Sequence, residues 1–173
     1  RERQKQVAEM QSLFADAEKI QSQGYAFKAI KKYKLVLEST LPDPKKLKDK
    51  AKERIEFIQS KIKEKSESNL LNADNLFKQG KIKEAVLTLR EAIVYDPDNN
   101  EMKDKIEAYS FELTRQVRAL YQEAIIEENY GQIENTDTKQ GAKEKWKKIT
   151  DMDLEDGEYY RKAVMKLRRY GVM

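Results

Sequence analysis

The sequence predicts an all-α fold in which pairs of antiparallel helices repeat along the chain. Three observations predict it: a recurring motif built on glycine and alanine, apolar residues spaced three and four apart, and a helix-favouring composition. Of 173 residues, 39% are hydrophobic and 38% are charged, and only 6 glycines and 3 prolines are present. This composition is typical of helices whose outer faces are solvated.

The motif consists of a small residue, a glycine, an alanine and a large apolar residue. Its first two copies, 56 positions apart throughout, are Ala17, Gly24, Ala29, Tyr33 and Ala73, Gly80, Ala85, Leu89. A third and degenerate copy, with extra residues after the glycine, is Ala124, Gly131, Ala142, Trp146. We expect the glycine to end one helix and turn the chain, because it adopts turn conformations without a Cβ penalty. The second alanine then lets the next helix pack closely.

Two segments carry an apolar stripe longer than an ordinary globular helix. The first begins at Pro44, with Asp43 as its expected N-cap, and continues to Gly80. The second follows Asp96-Pro97-Asp98 and ends near Gly131. Each segment is either one long helix or a helix with a soft break, and Ser66–Asn69 is the stronger candidate for such a break.

Shorter amphipathic helices alternate with the long ones. They are predicted over Tyr25–Ser39, Ile82–Tyr95 and Lys139–Thr150, and a last helix over Gly157–Tyr170 is expected to cap the array. We therefore expect a single array over residues 1–173, with repeat 1 at about 10–42, repeat 2 at about 44–97, and repeat 3 plus cap at about 99–171.

The motif resembles the tetratricopeptide repeat, which pairs two antiparallel helices. The match is best over Ala73–Ala85, continues to Ala92 and closes at Asp96-Pro97, and the copy at Leu13–Leu37 matches nearly as well. The resemblance implies a helical solenoid that binds other proteins. The family's repeat is about 34 residues long, whereas these copies are 56 positions apart, and the surplus lies in long first helices.

A narrower resemblance concerns the C-terminal part of the chain. Glu144–Ile149, Gly157–Tyr160 and Leu167–Gly171 are similar to the ends of helical-repeat regions in bacterial signalling proteins. Some of those proteins also carry a forkhead-associated domain, which binds phosphothreonine. The resemblance implies a context in a larger signalling or assembly protein and transfers no phosphate-binding residue.

The residue types present argue against catalysis. The chain has no Cys and no His, which removes thiol nucleophiles, disulfides and the commonest general base. The acidic clusters around Asp98 and Asp153 depart from a calcium loop, because glycine is missing where its sharp turn needs one. We therefore expect no enzyme, no cofactor, no metal and no small-molecule substrate.

The function that these observations predict is a non-catalytic protein–protein interaction or scaffold module. Its candidate contacts are polar residues on a first helix and basic residues near the C-terminus: Asn72, Asn75, Lys78, Gln79, Lys143, Lys147, Arg168 and Arg169. The expected partner is another protein or a peptide.

Two alternatives stay open at this point. The long striped helices could instead form a homo-oligomer. The basic C-terminal region around Trp146 could bind nucleic acid or an anionic surface, although a net charge of +4 makes nucleic acid the weaker expectation. No stretch is apolar enough to span a bilayer. We expect a cytoplasmic location and, because the chain starts at Arg1, a longer parent protein.

Overall fold

The computed structural model describes residues 1–172, and every regular element within them is an α-helix. The helices are α1 (Glu2–Ser22), α2 (Ala26–Glu38), α3 (Leu47–Lys78), α4 (Ile82–Ala92), α5 (Asn100–Tyr130), α6 (Ala142–Met152) and α7 (Glu158–Arg169). The all-α prediction is confirmed for this part of the chain, which contains seven helices and no strand.

The chain divides into two compact units. The first comprises Arg1–Leu71 and Glu91–Asn99, and the second comprises Asn72–Arg90 and the chain from Asn100 onward. In the first unit, α1 and α2 pack against each other and share a core with the N-terminal half of α3. The buried residues of that core are Met10, Phe14, Ala17, Ala29, Ile30, Tyr33, Val36, Leu47, Ala51, Ile55 and Ile58.

The second unit is organised around α5, which packs against α6, while α6 packs against α7. Its buried core residues are Ile82, Val86, Leu113, Val117, Ala124, Ala142, Trp146, Ile149, Leu154, Ala163 and Leu167. The end of α3 is attached to α5 by the Asp74 carboxylate, which accepts hydrogen bonds from Lys105 Nζ at 2.7 Å and Tyr109 Oη at 2.5 Å. The Phe77 and Tyr109 rings stack with their centroids 4.1 Å apart.

The turn after α1 depends on a left-handed glycine. Gly24 has φ +83°, its N–H donates to the Gln21 carbonyl at 3.0 Å, and the Tyr25 N–H donates to the Ile20 carbonyl at 3.3 Å. This pair of bonds is the Schellman arrangement, in which two otherwise unpaired carbonyls at a helix C-terminus are satisfied. The helix therefore ends at a fixed point and the chain reverses into α2.

The turn after α3 repeats the same bonds 56 positions later. Gly80 has φ +77°, its N–H donates to the Phe77 carbonyl at 2.9 Å, and the Lys81 N–H donates to the Leu76 carbonyl at 2.9 Å. A Cβ added at Gly80 would meet no atom within 4 Å, so the conformation alone favours glycine there. The motif recognised in the sequence thus corresponds to one repeated local structure.

The other motif positions are also equivalent in burial. All nine have no exposed surface: Ala17, Ala73, Ala124, Ala29, Ala85, Ala142, Tyr33, Leu89 and Trp146. Small residues at six of these positions allow close helix packing, and the larger ones fill the space beside them. In the first copy, the Tyr33 hydroxyl donates to Gln21 Oε1 at 2.6 Å and its ring meets Phe14 edge-on.

The third copy differs at its glycine. Gly131 does not have a positive φ, and a Cβ there would overlap the carboxylate of buried Glu127. Glycine is therefore favoured there by space rather than by conformation, since the Glu127 carboxylate would have to shift to admit a Cβ. The segment that follows is attached to α6, because Ala142 N–H donates to the Gln132 carbonyl at 2.8 Å and Gly141 N–H donates to Asn135 Oδ1 at 2.9 Å.

Two expectations for the long helices need correction. Pro44 does not lie in the first turn of α3, because Lys46 adopts φ 52° and the helix begins at Leu47. Asp43 still caps it, since its carboxylate accepts the N–H groups of Leu47 and Lys48 at 2.7 and 2.8 Å. The break considered at Ser66–Asn69 does not occur. Ser66 is buried inside the continuous helix, and its hydroxyl donates to Asp96 Oδ2 at 2.7 Å.

Replacing Gly80 with alanine tests the turn. Because Gly80 has φ +77° and free space around it, we expect Gly80→Ala to lower the free energy of unfolding by about 1 kcal/mol through backbone strain alone. Gly80→Asn should cost less, because asparagine enters the left-handed region more readily. Urea unfolding of both variants beside the unchanged protein measures this. Equal stability of all three proteins would show that the turn does not need a left-handed residue.

Candidate functional site

Helices α1 and α3 form an open groove of about 720 Å³ in the first unit, which we call the α1/α3 groove. Phe14, Leu47 and Phe57 supply its apolar surface. Charged side chains also line it: Glu18, Lys45, Lys50, Glu53 and Arg54. The groove therefore combines an apolar surface with charges of both signs, as is typical of protein-binding surfaces.

One ion pair lies across the α1/α3 groove. Arg54 Nη2 on α3 is 3.9 Å from Glu18 Oε1 on α1, and both side chains are about half exposed. An exposed pair of this kind contributes little to stability, so its members are available to an incoming partner. The same two charges act on the buried Tyr33. Burial and the Glu18 carboxylate raise the pKa of Tyr33 above its ordinary value, although Arg54 opposes the shift.

Phe57 lies between the α1/α3 groove and a second groove. The second groove, of about 250 Å³, has apolar walls from Ile58 and Ile62 and is also lined by Tyr95. Lys65 Nζ lies 4.4 Å from the centroid of the Tyr95 ring. Phe57 lines both grooves and is 54% exposed. It is the aromatic side chain best placed to anchor a partner.

The polar residues predicted on α3 are all exposed. Asn72, Asn75 and Gln79 lie on one face of the helix, whereas Lys78 lies to one side and its charge helps to lower the pKa of Asp74. None of the four lines either groove of the first unit. They remain candidate contacts in the second unit.

The basic residues near the C-terminus are mostly neutralised by acidic neighbours. Lys143 forms an ion pair with Glu134 and lies over the Tyr170 ring, with Nζ 5.7 Å from its centroid. Lys147 is 4.0 Å from Glu144 on its own helix. The remaining pairs are Lys145–Glu123, Lys162–Glu158 and Lys166–Glu128.

Arg168 and Arg169 differ from these lysines. Both are exposed, and neither has an acidic partner within 4.0 Å among residues 1–172. Of the candidate basic contacts, these two arginines are the ones left free to meet a ligand. Two of the lysine pairs join helices, because Lys145 connects α6 to α5 and Lys166 connects α7 to α5.

Glu128 links α5 to α7, and its side chain is 13% exposed. Its carboxylate accepts hydrogen bonds from Lys166 Nζ at 2.5 Å and from the Tyr170 hydroxyl. Burial would raise the pKa of Glu128, but Lys166 and Tyr170 outweigh it, so the pKa lies below its ordinary value. In return, the carboxylate and then burial raise the pKa of Tyr170 to about 12.

Trp146 lies in the core rather than on a binding surface. It is fully buried, and its ring contacts Tyr121 edge-on with centroids 5.4 Å apart. Lys166 Nζ lies 5.6 Å from the Trp146 ring centroid. Base stacking on Trp146, which the nucleic-acid alternative invoked, would require it to leave this core.

Neither a metal centre nor a membrane span is found in the described part of the chain. Among residues 1–172, no group of three or more acidic side chains is arranged to hold a metal ion. No helix within these residues has the length and apolar character needed to cross a bilayer.

Sequence reasoning missed Phe57 and the groove beside it. A usable signal was present, because Phe57 interrupts a polar sector of α3 and lies outside the stripe formed by Ile55, Ile58 and Ile62. A single aromatic residue of this kind is common, as Phe111 on α5 shows, and it is the two grooves beside Phe57 that distinguish this position.

Comparison with protein-family models, with curated proteins and with solved structures finds no match to this chain.

The Glu128 cluster has a pH dependence that can be measured. We expect Glu128→Gln to lower the free energy of unfolding by about 1.5–3 kcal/mol at pH 7, because a hydrogen-bonded carboxylate is lost. The pKa of Glu128 is lower in the folded protein than in the unfolded chain. The stability that Glu128 contributes is therefore fully present at a pH above the ordinary pKa of a glutamate, and it is lost as the pH falls through the pKa of the folded protein. The difference between variant and unchanged protein should therefore shrink in acid.

Glu158→Gln is the matched control, because Glu158 pairs with Lys162 on an exposed helix face. It should have no measurable effect on stability. Urea unfolding across a pH series measures both variants, and a Glu128→Gln effect that persists unchanged in acid would contradict the assignment.

Proposed function

We propose that this chain is a non-catalytic protein-interaction module built from tetratricopeptide-like helix pairs, and that it belongs to a larger bacterial signalling or assembly protein. The local geometry supports the repeat. Gly24 and Gly80 make equivalent turns with equivalent hydrogen bonds, and the alanines that follow them are fully buried. Such arrays use surfaces formed by several repeats to hold partners rather than to transform substrates.

The α1/α3 groove is the observation that carries the functional proposal. It lies between α1 and α3, which are the first helices of two successive repeats. Its volume is about 720 Å³, and Phe57 is exposed to solvent there. A partner helix or extended segment would place an apolar side chain against Phe57 and Phe14. Glu18 and Arg54 would then orient it, because their mutual ion pair is long and exposed.

Truncating Phe57 tests this proposal. We expect Phe57→Ala to weaken binding of the partner by at least about tenfold, because an exposed aromatic anchor is lost. The matched control is Tyr130→Ala, since Tyr130 is 89% exposed at the end of α5 and lies outside the groove. Quantitative capture of cellular proteins on the two variants and the unchanged chain would identify the partner, and titration with the purified partner would measure the change.

Loss of the same partner from both variants would contradict a groove-specific contact. Retention on both variants would contradict the assignment of Phe57 as an anchor. Circular dichroism confirms that each variant keeps its helices.

Self-association is a second candidate function, and the surface of α5 favours it. Phe111 and Ile126 are exposed on one face of this continuous helix, at 73% and 59%, and Ala119 lies between them on the same face. Arg115 and Arg118 separate them along this face, so a second copy would cover two exposed apolar side chains set among polar ones.

A concentration series of light-scattering mass tests self-association. If α5 forms the contact, the unchanged chain should be a dimer at high concentration. The variant with both Phe111→Glu and Ile126→Glu should be monomeric, because charges replace two exposed apolar side chains. Thr114→Glu serves as the control, since a change at Arg115 would break the ion pair between Arg115 and Glu112. A monomer at every concentration would exclude this candidate.

A further inference from the structure

The outer face of α2 carries a basic stripe that the sequence analysis did not single out. Lys28, Lys31, Lys32 and Leu35 follow one another at steps of three, one and three, which places them on a single helix face. The opposite face of α2 is buried in the core through Ala29, Ile30, Tyr33 and Val36. Glu38 is the one acidic residue of this helix, against four lysines.

The basic stripe borders an apolar groove. Ile20 of α1 and Leu35 of α2 form its floor together with the aliphatic parts of Lys28, Lys31 and Lys32, and its volume is about 300 Å³. Leu35 is 47% exposed there. We call this surface the α1/α2 groove. It is distinct from the α1/α3 groove, with which it shares no lining residue.

The lysines of the α1/α2 groove have no acidic partner. Lys28 Nζ lies 5.0 Å from the Tyr25 ring centroid and Lys31 Nζ lies 4.8 Å from that of Phe27, but none of the three lysines meets a carboxylate within residues 1–172. The contrast with the C-terminal region is clear, since Lys143 and Lys166 there are neutralised by glutamates. Positive charge around α2 is therefore available for a ligand.

We propose that the α1/α2 groove binds an acidic amphipathic helix of a partner protein. The partner would place an apolar side chain on Ile20 and Leu35, and carboxylates three or four residues apart on its own helix would reach Lys28, Lys31 and Lys32. The charges supply orientation and a fast association rate, while the apolar floor supplies the buried contact. The proposal does not depend on the α1/α3 groove.

The shape of the surface favours a helix over the other anionic ligands. A membrane-bound helix needs several apolar side chains directed outward, whereas Leu35 is the large apolar residue that this stripe exposes. Single-stranded nucleic acid needs aromatic faces for its bases, but Lys28 and Lys31 lie over the neighbouring Tyr25 and Phe27 rings. A concave apolar floor bordered by cations fits the side of an acidic helix.

The experiment uses a fluorescent synthetic helix as a probe. A capped peptide of about 18 residues carries leucines at helical spacing and glutamates elsewhere, and a second peptide has lysine at every glutamate position. Fluorescence anisotropy with the full chain should show binding of the acidic peptide and none of the basic peptide. The affinity should fall as salt rises, because the lysines lie at the surface.

Variants of the groove then locate the binding site. We expect Lys28→Gln, Lys31→Gln and Lys32→Gln together to weaken binding by at least about tenfold. Leu35→Ala alone should weaken it by about threefold or more. The matched control neutralises three exposed lysines of the second unit that also have no acidic partner among the described residues, Lys81, Lys103 and Lys148, and it should leave the affinity unchanged.

Three outcomes would overturn the proposal. The first is no binding of the acidic peptide at low salt up to about 1 mM. The second is an equal loss of affinity in the groove variant and the control variant, which would mean that only net charge matters. The third is tighter binding of phosphatidylserine vesicles, or of a single-stranded oligonucleotide, that depends on the same three lysines. Circular dichroism of each variant shows whether its helices are intact.

Discussion

The left-handed glycine turn is the constraint on which the helix pairs depend. At Gly24 and Gly80 the backbone enters a region that costs other residues about 1–2 kcal/mol, and two N–H groups there close the end of the preceding helix. Because the turn fixes where one helix ends, it also fixes which residues of the next helix face the core. Ala29 and Ala85, each five positions after the glycine, are fully buried as a result.

Two of the helices are much longer than the others. α3 and α5 each extend over more than thirty residues, and they differ in this from the short helices α2, α4 and α6. Helices in proteins owe most of their stability to tertiary packing rather than to intrinsic propensity, so the long helices depend on the cores that they border. Their remaining surface is solvated, which leaves side chains such as Phe57 and Phe111 exposed to possible partners.

Periodicity and glycine placement made much of the fold predictable. The ends of α2, α4 and α7 lie within three residues of their predicted limits, because Gly24, Gly80 and Gly157 mark turns in the sequence. The start of α3 was misplaced, since nothing local indicates that Lys46 adopts a positive φ. The sequence left open a soft break at Ser66, which does not occur, and the Ser66 hydroxyl donates to Asp96, thirty positions away in the sequence.

The candidate sites were less predictable, because charge pairing depends on distant residues. The cluster around Lys143 and Lys166 appears strongly basic in sequence, yet Glu128 neutralises Lys166 from 38 positions away. Lys28, Lys31 and Lys32 were not among the predicted contacts, although no acidic residue lies within four positions of any of them on α2. The sequence concentrates basic residues near the C-terminus, whereas the fold leaves basic residues on α2 without acidic partners among residues 1–172.

Residue-resolved amide hydrogen exchange tests the glycine turns most directly. The N–H groups of Gly24, Tyr25, Gly80 and Lys81 donate to helix carbonyls, so their exchange should be slowed well below the rate of an unstructured chain. The Gln23 and Gln79 amides, which donate to the Lys19 and Asn75 carbonyls, report whether the ends of the preceding helices stay protected. Exchange of the four amides at unstructured-chain rates, with the flanking helices still protected, would contradict the helix-pair repeat.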